Sequence, residues 1–174
     1  MKKLLLLLML FSTPVMAVEP ITGAFGLKLG DVWDGEATET YERDGFFQYD
    51  FIPESPHDLF DRYAVHVTLV KKLIFGIGGH KKGECEQQYQ DLKKALIKKY
   101  GAGEEVNEFR HLWEQGKRKL EDPDVHPSFT SARGITIHCN VEEDEWVDGL
   151  YIHYVDLDIH DSRTDELLPD TSNL

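Results

Sequence analysis

Long hydrophobic runs are missing from this sequence. Its longest unbroken apolar stretch, Leu4 to Phe11, has eight residues, against the roughly 20 that a helix needs to cross a bilayer, so no membrane-spanning helix is expected. Cysteine is scarce too, with two among 174 residues, enough for one disulfide. Basic residues are outnumbered, 19 against 32 acidic, for a net charge of −13. Such a chain is repelled by nucleic acid and by anionic lipid faces, so nucleic acid is excluded as a partner. Catalytic signatures are absent as well. The chain has no G-x-S-x-G elbow, no H-E-x-x-H, no P-loop, no dinucleotide glycine fingerprint and no EF-hand ligand pattern. No cofactor is expected, and an enzyme is the less favoured class.

What is present starts at the N-terminus. Lys2 and Lys3 precede the apolar run, Pro14 ends any helix there, and Val15-Met16-Ala17 supplies the small residue that signal peptidase requires. Residues 1–17 therefore read as a cleavable signal peptide, with the mature protein starting at Val18. No cysteine lies near the cut for lipid attachment, so no membrane anchor remains after cleavage. Loss of the two lysines takes the net charge from −13 to −15. Residues 18–160 have the length of one globular domain, and the polar, aperiodic residues 161–174 read as a loose tail. The expected location is the periplasm, with passage beyond the outer membrane left open. In that oxidising compartment Cys85 and Cys139 read as a disulfide, whose closure stabilises the fold by roughly 4 kcal/mol in the chain-entropy model.

Periodicity supplies the elements. Residues 21–36 look irregular, and Phe46–Ile52 reads as a strand. Ser55-Pro56 reads as the cap and first position of a short helix reaching Asp61. In residues 63–70, Tyr63, Val65, Val67 and Leu69 share one face, with Ala64, His66 and Thr68 opposite. Lys71-Lys72 turns the chain into a strand lined by Leu73, Phe75 and Ile77. Residues 84–100 form the best helix, with Cys85, Tyr89, Leu92, Leu96 and Tyr100 (or Ile97) at helical spacing and Gly101 as its stop. Residues 104–120 fit a helix through Val106, Phe109 and Trp113, or a strand through Phe109, His111 and Trp113; the nearby Gly116 favours the strand. Ile135, Ile137, Cys139 and Val141 share a strand face opposite Thr136, His138 and Asn140, and Leu150–Ile159 reads as the last strand. Cys85 on the helix's apolar stripe and Cys139 on a strand's apolar face can meet between the two. The expected class is α+β: a single antiparallel sheet with one principal helix packed on it, tied by a helix–strand disulfide.

Candidate sites are few. Ser55, His57 and Asp58 stand too close in sequence to form a nucleophile–base–orienter line, and capping explains Ser55 and Asp58. Asp156, Asp158 and His160 would share one strand face as nitrogen and oxygen ligands for a divalent metal. At strand spacing they spread over roughly 13 Å, so a solvated face is the better reading. The loop of Glu142, Glu143, Asp144, Glu145 and Asp148 lacks calcium-ligand spacing but surrounds Trp146, an aromatic of the kind that anchors interfaces. Residues 71–100 hold eight lysines against three acids, and Lys93, Lys94 and Lys98 form a candidate basic patch on the helix's outer side.

Gly26-Leu27-Lys28-Leu29-Gly30, the strand Tyr63-Ala64-Val65-His66-Val67-Thr68, the helix from Cys85 to Tyr100-Gly101, Ile135 to Cys139, and Tyr151-Ile152-His153-Tyr154 follow an order that resembles small exported proteins of Gram-negative bacteria that have no assigned activity. The chain departs from that pattern in having Lys71-Lys72 at the turn between strands. The resemblance implies an exported location and a fold type, and transfers no functional residue. The expected function is a periplasmic binding or interaction protein with a protein partner. Its concrete form is an inhibitor or immunity protein that meets a secreted or periplasmic enzyme through the acidic loop 142–148. The alternatives are a metal-assisted enzyme and a structural envelope factor.

Overall fold

A computed structural model describes residues 18–43, 45–116, 132–140 and 148–163. Two short strands come first, β1 (Gly23–Ala24) and β2 (Leu27–Lys28). Between them Phe25 and Gly26 both have positive φ, 55° and 84°, the pair of left-handed conformations that a tight two-residue hairpin turn requires. Phe25 holds this conformation with its ring edge-on to Phe60 and Tyr63, at centroid distances of 5.6 and 4.8 Å.

The other strands are β3 (Glu39–Arg43), β4 (Phe46–Phe51), β5 (Arg62–Thr68), β6 (Ile74–Lys81), β7 (Glu104–Asn107), β8 (Arg110–Gln115), β9 (Arg133–Asn140) and β10 (Gly149–Asp156). They form one antiparallel sheet in the order β3-β4-β5-β6-β10-β9-β8-β7. Helix α1 (Glu86–Tyr100) connects β6 to β7, and α2 (Leu157–Ser162) follows β10 directly.

Alternation sends the apolar residues of the central strands to one face. Val65, Ile77, Tyr154, Ile135 and Trp113 lie in cross-strand register, and all are buried. Tyr89, Leu92, Leu96 and Tyr100 of α1 pack on that face, beside Ile21, Leu29, Trp33 and Phe60 of the loops and N-terminal segment. Cys85, at the start of α1, is bonded to Cys139 of β9 with Cα atoms 5.6 Å apart. The expected helix-to-strand disulfide is therefore present, and Tyr100 rather than the 38%-exposed Ile97 completes the helix's apolar stripe.

The class expectation is overturned. The protein is mostly β, an eight-stranded antiparallel sheet plus a two-stranded one, and its described helices have 15 and 6 residues. The α+β reading missed β3, whose residues are almost all exposed and so carry no apolar alternation, and it took 104–120 as one element where β7 and β8 are two. It also ran the last strand to Ile159, whereas the strand ends at Asp156. There the Asp156 carboxylate accepts from the amide of Ile159 at 3.2 Å and caps α2 instead. The short helix expected after Ser55 is absent. His57 instead exchanges hydrogen bonds with the Tyr63 hydroxyl through its own amide (2.8 Å) and carbonyl (2.9 Å). A register shift after His66 also turns Phe75 away from the helix side, to pack with Phe46 and His66. Residues 104–107 and 110–115 form strands, as the Gly116 argument favours.

Candidate functional site

The face of the sheet opposite α1 carries the other phase of each strand. Register places its residues in rows that run across the strands. One row is Arg62 (β5), His80 (β6), Tyr151 (β10), His138 (β9) and Arg110 (β8). The next is Asp50 (β4), Ala64, Gly78, His153 and Thr136. A third begins with Gln48, His66 and Gly76. Two of the small residues, Ala64 and Gly78, sit in the middle row. The sheet is consequently dished there, in a groove of about 400 Å³ lined by side chains from β4, β5, β6, β9 and β10. That volume falls within the range of small-ligand pockets. The His160 ring of α2 meets Phe75, which packs on His66, at 5.3 Å.

The first wall is a ring stack. Tyr151 lies between His80 and His138, with centroids 4.2 and 4.5 Å away and planes tilted by 21° and 12°. The carbonyl of Asp148 lies 3.1 Å from His80 Nε2; because a carbonyl only accepts, Nε2 carries the proton. Nδ1 of a neutral ring is then an acceptor. Gly149 makes this contact possible: its φ of +128° and its closeness to β6, where a Cβ would stand 2.0 Å from the Lys81 carbonyl, admit no side chain.

Beyond the small floor, His66 and His153 face each other with ring centroids 5.3 Å apart. Burial, with the charges of His160 and Arg43 nearby, pushes His66 down to about 4. Burial and the neighbouring Arg110 and His80 push His138 down to about 4 as well. Both imidazoles are neutral at pH 7, so each has one donor and one acceptor nitrogen. At the β4 rim Asp50 accepts from Arg62 Nη2 and from Gln48 Nε2, each at 3.1 Å. The groove is therefore walled by planar polar groups held by ion pairs, ring stacks and backbone.

Adjacent glycines show how the two faces differ. At Gly79, on the helix side, a Cβ would stand 3.0 Å from both the Phe25 and Phe60 rings, so core packing demands glycine. At Gly78, on the groove floor, the nearest atom would be the Ile152 carbonyl oxygen at 3.6 Å, an ordinary contact, and φ is not positive. Neither packing nor torsion requires glycine at 78.

The residues singled out from sequence lie elsewhere. Glu142, Glu143, Asp144, Glu145 and Trp146 fall outside the described residues; Asp148 touches the groove wall through its carbonyl. Lys93 and Lys94 are ion-paired with Glu105 (2.6 Å) and Asp91 (3.5 Å), while Lys98 is exposed on α1. Asp156 pairs with Arg133 at 2.9 Å, Asp158 lies in α2, and the His160 ring bonds Asp161 at 3.1 Å. The three do not converge, and among the described residues no group of three or more His, Cys, Asp or Glu could hold a metal ion. The groove escaped the sequence reading, although its signal was there: His66 and His138 both fall on the polar phase of otherwise apolar strands. The chain matches no family model, no curated protein and no solved structure.

Proposed function

We propose that this chain is an exported binding protein whose ligand lies in the groove on the open face of the sheet. The observation that carries the reading is Gly78. A strand-interior glycine costs stability and commonly marks a place where a ligand approaches the backbone closely. Here nothing in the protein itself calls for it. The surrounding Asp50, Arg62, His80, His138 and Tyr151 offer donors and acceptors in a preorganised array, the polar complement of a ligand pocket. Export is supported by the buried disulfide, a bond typical of oxidising compartments, and by the signal-like N-terminal sequence. The acidic-loop inhibitor reading gains no observation from the described residues.

A thermal-shift screen of the wild-type protein and Gly78→Val, run in parallel on sugars, nucleotides, short peptides and fatty acids, tests the proposal. At least one chemical class should raise the melting temperature of the wild type and fail to do so for Gly78→Val, while both unliganded proteins keep the same circular dichroism. Equal shifts in the two proteins for every stabilising compound would overturn it, as would a screen in which no class stabilises the wild type.

A further inference from the structure

His66 sits at the edge of the groove in a box of rings. Its imidazole meets Phe46 of β4 at 5.3 Å, Phe75 of β6 at 5.9 Å and His153 of β10 at 5.3 Å. The ring lies over Gly76, where a Cβ would stand 2.8 Å from His66 Nδ1 and 2.9 Å from His153 Nε2, so glycine at 76 makes room for both imidazoles. The charged and titratable groups brought to this box are Arg43 of β3, His153 of β10 and, from α2 and its end, Asp158, His160, Asp161 and Arg163. Asp161 is engaged by the His160 ring at 3.1 Å. Burial, with His160 and Arg43 nearby, pushes His66 down to about 4 where it stands. At pH 5 the ring therefore takes up a proton only by leaving the box for water or a carboxylate.

The groove offers both. Ala64 and Gly78 leave the floor beside His66 bare, and Asp50 is the one carboxylate among the described residues that line it. Register pairs His66 with Gln48 and Ala64 with Asp50. Asp50 is therefore the diagonal neighbour of His66 on the same face, about 7–8 Å away between Cα atoms and within reach of an aromatic side chain. Asp50 accepts one bond from Gln48 at Oδ1 and one from Arg62 at Oδ2. An ionised carboxylate has about four acceptor positions, so a third donor fits without displacing either. Resting on the groove reading above, we infer that acid closes the groove: the His66 imidazolium turns off Gly76, crosses the floor at Ala64 and donates to the Asp50 carboxylate. The ring then fills the space that a ligand takes at neutral pH, so acidification of the surroundings releases the ligand. The open form is complete above about pH 6.5, the ordinary histidine value, and gives way as pH falls below it.

NMR of the unliganded protein at pH 7.5 and 5 tests this, with the soluble nitroxide TEMPOL as the probe of access to the groove. At pH 7.5 the His66 ring protons should show nuclear Overhauser contacts with Phe46 and Phe75, and TEMPOL should broaden the Ala64 methyl and Gly78 Cα proton signals. At pH 5 the ring contacts should move to Asp50 and Ala64, and that broadening should be lost. Asp50→Asn removes the acceptor's charge and should lower the pH midpoint of the exchange by about one unit, a tenfold loss of proton affinity. His66→Phe, which has no charge to gain, should keep the broadening equal at both pH values. Ring contacts that stay with Phe75 at pH 5, a midpoint unmoved in Asp50→Asn, or broadening lost equally in His66→Phe would overturn the inference. Loss of the groove and α1 signals together in one unfolding transition would overturn it too. The groove reading stands or falls separately, on the ligand screen at neutral pH, where the groove is open.

Discussion

Alanine placed at Gly78 and, separately, at Gly79 tests whether the two faces of the sheet are built as described. At Gly79 the new methyl would stand 3.0 Å from Phe25 Cζ, 3.0 Å from Phe60 Cγ and 3.2 Å from Ile152 Cγ2. Phe60 and Ile152 are buried, and Phe25 is wedged between Phe60 and Tyr63, so none can move without displacing another. Overpacking of this kind costs about 1–3 kcal/mol, partly offset by a gain of about 0.4–1 kcal/mol from a stiffer unfolded chain. At Gly78 the nearest atom is 3.6 Å away, so only the gain of about 0.4–1 kcal/mol applies. Gly79→Ala should therefore be less stable than the wild type and Gly78→Ala slightly more stable, a separation of about 2 kcal/mol between neighbours. Urea unfolding at pH 7.5, read as midpoint at constant slope, measures it. Equal destabilisation by both substitutions would refute the reasoning, because glycine at 78 would then serve the fold.

Two further outcomes follow from the same structure. Replacing both Cys85 and Cys139 by alanine should lower stability by roughly 4 kcal/mol in the chain-entropy model, with reductant shifting the wild type's urea midpoint and leaving the variant's unchanged. The pH dependence follows from His66, held near 4 in the folded protein against 6.5 in the unfolded chain. Between those values the unfolded chain binds the proton and the folded protein does not, so stability is complete above about pH 6.5 and falls as pH drops towards 4, by up to about 3 kcal/mol for this residue. Unfolding curves at pH 7.5, 6 and 5 should show that decline, and His66→Gln should reduce it, leaving the part that His138 contributes.

Much of this was legible in the chain where burial imposes a period. The stripe of α1, the strands around Val65, Ile137 and Ile152, and the meeting of Cys85 with Cys139 all follow from apolar residues recurring at 3.6 or 2. The exposed strands β3 and β7 carry no such period: Glu39–Arg43 and Glu104–Asn107 bury almost nothing, and backbone pairing with surface contacts such as the Lys93–Glu105 ion pair holds them. The groove was half legible. His66 and His138 stand on the polar phase of their strands, but strand order and register bring them to one surface, with Gly78 and Tyr151 from strands 73 residues apart in sequence. Single-sequence periodicity says which way a side chain faces within its strand and nothing of which strands will be neighbours. The strand expected to run on to Ile159 ends at Asp156 because a carboxylate able to cap a helix won over the continuing alternation.

The groove is tested most directly by a ¹H–¹⁵N NMR titration of the protein with the best stabilising compound from the screen. The account predicts shift changes centred on Ala64, Gly78, His138 and Tyr151, residues drawn from four different strands, and their loss in Gly78→Val. Shift changes confined to α1 and the N-terminal segment, on the opposite face of the sheet, would contradict it.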